Sequence, residues 1–327
     1  MLDKIGQLFI TGFDKPEPSD EFLEFYSSEN VGGIILFENN CTPHHRAENS
    51  IKSIIEVSSG AVPLIGVDQE GGRVCRFRGA PAEYKSPSDY GKEKDLNLFK
   101  EQFSRAAYYV YALGVNLLFG PVADIEIKNN AYLKGRTFGK KASSIIPFIE
   151  SSIRISRKVG LLSCLKHFPG LGAAENDPHQ EIAVADYDYQ TFLNREAVTF
   201  KAGIETGADM VMSTHMKLTR IDPRIVTESE IVIGQLLRDK LHFDGIVITD
   251  DLMMHGADNL GGYGERAVKA FNAGHDILLF GKNYHATVEA IAYFKKEYRQ
   301  GHIDKTRLKT SLERVSGIKS KLTMPVL

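Results

Sequence analysis

Side chains able to do acid–base or ionic chemistry gather in short runs of this sequence. They are Asp68-Gln-Glu-Gly-Gly-Arg73, Asp124 with Arg136 downstream, Lys166-His167, Asp177-Pro-His179, His215 and Asp250-Asp251. An Asp two residues before a His is close enough to orient and charge-stabilise the imidazole, and a His held near neutrality is a usable general acid or base. The same tripeptide also reads as an Asx-type turn carrying an exposed His, and both readings stand on local sequence. Adjacent residues in a strand point to opposite faces, so one of Asp250 and Asp251 aims inward while the other caps the next helix or pairs behind the sheet. Lys166 and His167 share that geometry. Met253 and Met254 read as core or pocket wall.

Most of these polar groups stand at the end of an apolar run, which says what must position them. The runs are 8–12, 31–37, 63–68, 115–119 continuing to Ile125, 161–168, 210–215, 245–250 and 275–280. They are nearly continuous in apolar character and do not alternate, as strands of a parallel sheet buried on both faces do. Amphipathic stretches at 101–113, 145–159, 189–206, 228–241 and 264–273 lie between them. Eight strand–helix units in 327 residues predict an α/β fold of the closed (β/α)8 TIM-type barrel, with an open doubly wound sheet as the alternative. Candidate helices at 285–298 and 305–322 complete the outer ring and extend it, and no linker divides residues 1–327 into more than one domain. Barrel active sites are assembled at the carboxyl ends of the strands, where Asp68, Asp124, Lys166, His167, His215 and Asp250 stand.

Composition removes other classes. Forty basic against 42 acidic side chains give a net charge of −2, so nucleic acid is not an expected partner. Three scattered cysteines, Cys41, Cys75 and Cys164, form no disulfide framework or zinc ribbon. The amino-terminal apolar stretch is too short and polar for a signal segment, and no run is long enough to span a membrane, which predicts a cytoplasmic protein. Gly170-Leu-Gly172 starts like a dinucleotide fingerprint, but Glu175 takes the third glycine position and Asp177-Pro178 interrupts the helix. No cofactor is expected. Metal is not expected either, although His167, His179 and His215 are the set that would hold one.

The sequence resembles glycoside hydrolase family 3, and within it the single-domain bacterial β-N-acetylglucosaminidases of cell-wall recycling. The matching stretches are Gly66-Val-Asp-Gln-Glu-Gly-Gly-Arg-Val74 with Arg76, Gly120-Pro-Val-Ala-Asp124, Gly135-Arg-Thr-Phe-Gly139, Lys166-His-Phe-Pro-Gly170 with Asp177-Pro-His179, and Ile248-Thr-Asp-Asp-Leu252. The resemblance implies that Asp250 is the nucleophile, His179 the general acid/base and Asp177 its dyad partner. It further implies that Asp68, Arg76, Arg136, Lys166 and His167 hold the sugar, with Asp251 the fallback for the nucleophile. Leu171 stands where the family often has His and Pro178 where it often has Ser, so the loop is stiffer while the Asp-x-His spacing is kept.

The implied reaction is a retaining double displacement that releases β-linked N-acetylglucosamine from a carbohydrate substrate such as a muropeptide fragment. Larger β-glucosidases of the family take the acid from a second domain, so this length favours the loop dyad. A β-glycosidase of other specificity, a phosphorylase in which phosphate replaces water, and a sugar-binding protein without turnover are the alternatives. The oligomeric state is not encoded in any motif, and a monomer is compatible with the sequence.

Overall fold

The computed structural model describes residues 1–60, 62–128, 130–174 and 182–323. The apolar runs form strands β1 Phe9–Thr11, β2 Gly33–Leu36, β3 Leu64–Val67, β4 Leu117–Leu118, β5 Leu162–Phe168, β6 Met210–Ser213, β7 Ile246–Thr249 and β8 Leu278–Phe280. Every residue in them is buried, which is why the runs carry no alternation. Neighbours pair in parallel in the order β7-β6-β5-β4-β3-β2-β1-β8. The two ends of this sheet meet through a parallel bridge between Ile248 and Ile277, and Thr249 N–H donates to Ile277 O at 3.1 Å.

A helix follows each strand: α1 Asp20–Ser28, α2 His45–Val57, α3 Leu96–Ala112, α4 Ala142–Val159, α5 over 189–206, α6 Ile231–Lys240, α7 Tyr263–Ala273 and α8 Tyr284–Gln300. A further helix, α9, covers Lys305–Lys319. Local sequence sets several boundaries. Asp95 and Asp304 accept the Leu98 and Arg307 N–H groups at 2.8 and 2.6 Å, and Gly160 and Gly207 end α4 and α5 in the left-handed region. This is the expected (β/α)8 architecture.

Strand four is shorter than its apolar run. The expected continuation to Ile125 fails because Gly120-Pro121 follows β4, and proline has no N–H to give the ladder. Beyond β4 the pairing is irregular: Gly120 O accepts Cys164 N–H at 2.8 Å, and an isolated bridge joins Val122 to Lys166. Outside the barrel, Ala183–Ala185, Met216–Leu218 and Asp222–Ile225 form a small side sheet built from segments after β5 and β6.

The opposite end of the barrel is closed by α9. The buried Asp276 carboxylate accepts from Val247 N–H at 3.1 Å and Arg238 at 2.5 Å, and from Ser311 Oγ at 2.7 Å and Arg314 at 3.3 Å. Lys319 Nζ donates to Gln7 Oε1 at 2.7 Å and Gly32 O at 2.6 Å. Cys41, Cys75 and Cys164 are buried and unpaired. No helix among the described residues is long and apolar enough to cross a membrane.

Candidate active site

A cavity of about 900 Å³ opens at the carboxyl ends of the strands. Asp68 reaches it from the end of β3, Arg136 from the loop after β4, Lys166 and His167 from β5, Asp250 from just beyond β7, and Arg76 from the hairpin after β3. Six of the residues nominated by sequence therefore meet at one place.

Five charged side chains interlock there. Lys166 Nζ lies 2.6 Å from Asp68 Oδ1 and 2.5 Å from Glu70 Oε1. Glu70 also takes a two-point contact from Arg136, at 2.7 and 2.8 Å, and Arg76 donates to Asp68 Oδ2 at 3.1 Å. Burial alone would raise both carboxylates, but Lys166 and Arg76 hold Asp68 well below its usual range, and Arg136 and Lys166 bring Glu70 down to about 2. Burial would likewise lower Lys166, and Asp68 and Glu70 instead keep it firmly protonated. The result is a rigid array of three cations and two carboxylates, with one positive charge in excess, that presents fixed donors and acceptors to the cavity.

His167 is buried beside this array. Its Nδ1 is 2.7 Å from Asp124 Oδ2 and its Nε2 is 3.3 Å from Arg136 Nη2. The opposite-face expectation for Lys166 and His167 does not hold, since both line the cavity. The ladder from β5 to β6 shifts register between Leu165 and Phe168, which breaks the alternation of side chains.

Asp250 and Asp251 both border the cavity but differ in what they touch. Asp251 Oδ1 accepts the backbone N–H groups of Met253 and Gly281 at 2.9 Å each, fixing the turn after β7 to the end of β8. Asp250 Oδ1 accepts only the Asp251 N–H, at 2.8 Å, and its Oδ2 is buried with no hydrogen-bond partner among the described residues. Arg76 Nε is in the same condition. Buried polar atoms are rarely left unsatisfied, so two on one cavity mark where a polar ligand belongs. Met253 and Met254 are pocket wall, as expected.

His215 is not part of this wall among the described residues. Its ring nitrogens meet Thr227 Oγ1 at 2.7 Å and Asp251 O at 2.9 Å, so it supports the turn beneath Asp251. Asp177 and His179 lie outside the described residues.

The chain matches the Glycosyl hydrolase family 3 N terminal domain over residues 1–318. It belongs to glycosyl hydrolase family 3. Among its relatives, a beta-hexosaminidase of Actinobacillus pleuropneumoniae is 32% identical over 304 residues, covering 90% of this chain and 88% of the relative. One of Vibrio cholerae is 34% identical over 281 residues, covering 84% and 82%. The structure of a family 3 beta-N-acetylglucosaminidase from Paenibacillus superposes with a TM-score of 0.92 at 28% identity, over 98% of this chain. This chain spans 62% of that longer protein.

Three residues of this family 3 site were not singled out from sequence. Glu70 stands two residues after Asp68, so strand alternation places it on the same side, and that spacing was the available signal. Phe37 and Lys282 had none. The Phe37 ring carries Arg76 at 5.7 Å and Lys282 at 5.1 Å, an arrangement made only by folding.

The glycine pair that imitates a nucleotide motif has a packing explanation in this family 3 chain. A Cβ on Gly172 would sit 1.6 Å from Ile125 O, and Gly172 O accepts Lys128 N–H at 3.0 Å. The Gly172→Ala variant should lose about 3 kcal/mol or more, because backbone rather than a movable side chain must yield. Urea denaturation reads this directly, and an unchanged midpoint would contradict the contact.

Glu196, in the π-helical turn Phe192–Glu196 of α5, is buried against Gly170, with Oε1 bonded to Arg195 at 2.7 Å and Oε2 unpartnered among the described residues. Burial pushes its carboxyl up to about 7, against the pull of Arg195. Between the unfolded value near 4.5 and about 7 the folded chain keeps a proton that the unfolded chain sheds, so Glu196 withdraws stability as pH rises through that window. Glu196→Gln should therefore gain on the wild type across the window, by up to about 3 kcal/mol above it. Parallel denaturation curves at about pH 5 and about pH 8 test the sign, and a constant difference would refute it.

Proposed function

We propose that this family 3 enzyme is a retaining β-N-acetylhexosaminidase that removes terminal β-linked N-acetylglucosamine. The observation that carries the mechanism is the buried, unpartnered Oδ2 of Asp250 on a cavity already furnished with a fixed polar array. Asp250 is the nucleophile, and Asp68, Arg76, Arg136, Lys166 and His167 hold the sugar hydroxyls. His179, oriented by Asp177, is the acid/base. In the first step Asp250 bonds to the anomeric carbon as the glycosidic C–O bond breaks and the leaving oxygen takes the His179 proton. In the second, water gives a proton to His179 and its oxygen displaces Asp250, so configuration is retained.

The beta-hexosaminidase relatives and the beta-N-acetylglucosaminidase neighbour support the N-acetyl sugar. The cavity mouth supports an aglycone bearing a carboxylate, as in a peptidoglycan fragment that joins N-acetylglucosamine to anhydro-N-acetylmuramic acid. Lys282 is exposed there and rests on Phe37 with no carboxylate partner among the described residues, and Arg73 is held by the carbonyls of Ala131, Tyr132 and Lys134.

Hydrolysis of matched aryl β-glycosides, N-acetylglucosaminide beside glucoside, with and without phosphate, tests the reading. Strong preference for the N-acetyl sugar, independent of phosphate, is the outcome expected. Preference for glucoside, acceleration by phosphate or no turnover would each replace it.

A further inference from the structure

We infer that Asp124 is a positioning residue for this reaction: it locks His167 in the Nδ1–H tautomer and so sets the direction in which Arg136 is held. Only the kinetic arm of its test rests on the glycosidase reading above. Asp124 is fully buried and does not line the cavity, so it acts through what it touches. Its Oδ2 accepts from His167 Nδ1 at 2.7 Å and His167 N–H at 3.2 Å, while Oδ1 accepts Leu171 N–H at 2.7 Å.

The tautomer follows from the other edge of the ring. His167 Nε2 stands 3.3 Å from Arg136 Nη2, and a guanidinium has donors and no acceptor. Nε2 must therefore accept, which places the ring proton on Nδ1, facing the carboxylate able to receive it. Arg136 is held from one side by the two-point contact with Glu70 and from the other by this nitrogen, with its guanidinium over the Tyr132 ring at 4.4 Å. Reversing the tautomer would set an N–H against the guanidinium and turn Arg136 away from the position that Glu70 and His167 jointly define. The Leu171 contact fixes the turn that begins where β5 ends, so one carboxylate registers the imidazole and the chain leaving it.

Asp124→Asn keeps the shape and an acceptor for Leu171 while replacing the acceptor at His167 with a donor. Long-range proton–nitrogen NMR of the whole protein, with the His167 signal assigned by its loss in His167→Gln, should show Nδ1–H in the wild type and the Nε2–H form in Asp124→Asn. KM for the aryl N-acetylglucosaminide should rise about 10- to 100-fold in the variant, with a smaller fall in kcat. Ser311→Ala, which removes a bond to a buried carboxylate at the other end of the barrel, should alter stability and leave KM unchanged.

An Nε2–H tautomer in the wild type would overturn the proposal even if the variant failed to fold. So would wild-type KM in Asp124→Asn, or a loss of activity with the tautomer unchanged, which would leave Asp124 a merely structural residue. A wild type with the expected tautomer but no turnover would instead refute the glycosidase reading.

Discussion

Replacing Asp250 with Asn leaves the protein folded and lowers turnover on the order of 10⁴-fold or more, because no other described side chain on the cavity presents a buried, unengaged carboxylate oxygen. Stability should not fall. Asn keeps the contact with Asp251 N–H and removes a desolvated charge that nothing among the described residues hydrogen-bonds at Oδ2. Asp251→Asn should do the reverse, lowering the melting temperature by weakening the contacts to Met253 and Gly281 while retaining more activity. Added azide supplies a small nucleophile to Asp250→Ala, and the product should be the α-glycosyl azide. A β-azide, or wild-type turnover in either Asp250 variant, would remove Asp250 from the nucleophile role.

Glu70→Gln should damage stability and substrate binding together. The Glu70 carboxylate stands between Arg136 and Lys166, both nearly fully buried, and removing its charge leaves two cations facing a neutral amide. Breaking such a buried pair from one side typically costs about 3–5 kcal/mol. KM should rise steeply, since Arg136 and Lys166 lose the group that aims them.

The pH dependence gives an independent sign. Glu70 titrates lower in the folded chain, at about 2, than its ordinary value of 4.5, so its contribution is complete above 4.5 and disappears as pH falls toward about 2. Asp68 acts in the same direction. Wild-type stability should fall through this acid window and Glu70→Gln should fall less. Urea midpoints at about pH 3 and about pH 6 compare them, and equal slopes would show that Glu70 is not ionised in the folded protein.

The barrel was legible because strands buried on both faces leave an unbroken apolar signature, and the end that carries the cavity was legible because polar residues interrupt that signature at the strand ends. The orientation of neighbouring residues was not legible. Whether Lys166 and His167 share a face depends on a register shift between β5 and β6, a property of the pairing and not of either residue. The length of β4 depended on the missing N–H of Pro121, which the apolar run concealed. Glu70 was within reach of a strict alternation argument, whereas Lys282 meets the Phe37 ring only in the folded chain, next to Gly281, whose N–H Asp251 accepts. The roles of Asp177 and His179 rest on the sequence motif, as these residues lie outside the described ones.

The Asp276 network has a consequence for how the chain matures. β7, whose outer end delivers Asp250, is anchored at its inner end to a carboxylate that takes two of its bonds from Ser311 and Arg314. During synthesis from the amino terminus, all eight strands have left the ribosome before those two residues have. Until α9 docks, Asp276 lacks part of its complement, so the barrel should settle into its final rigidity only after α9 has emerged. Shortening the chain into 305–319 would remove both bonds at once and should loosen β7 from beneath, a larger loss than the single bond removed by Ser311→Ala, even though no residue of α9 lines the cavity.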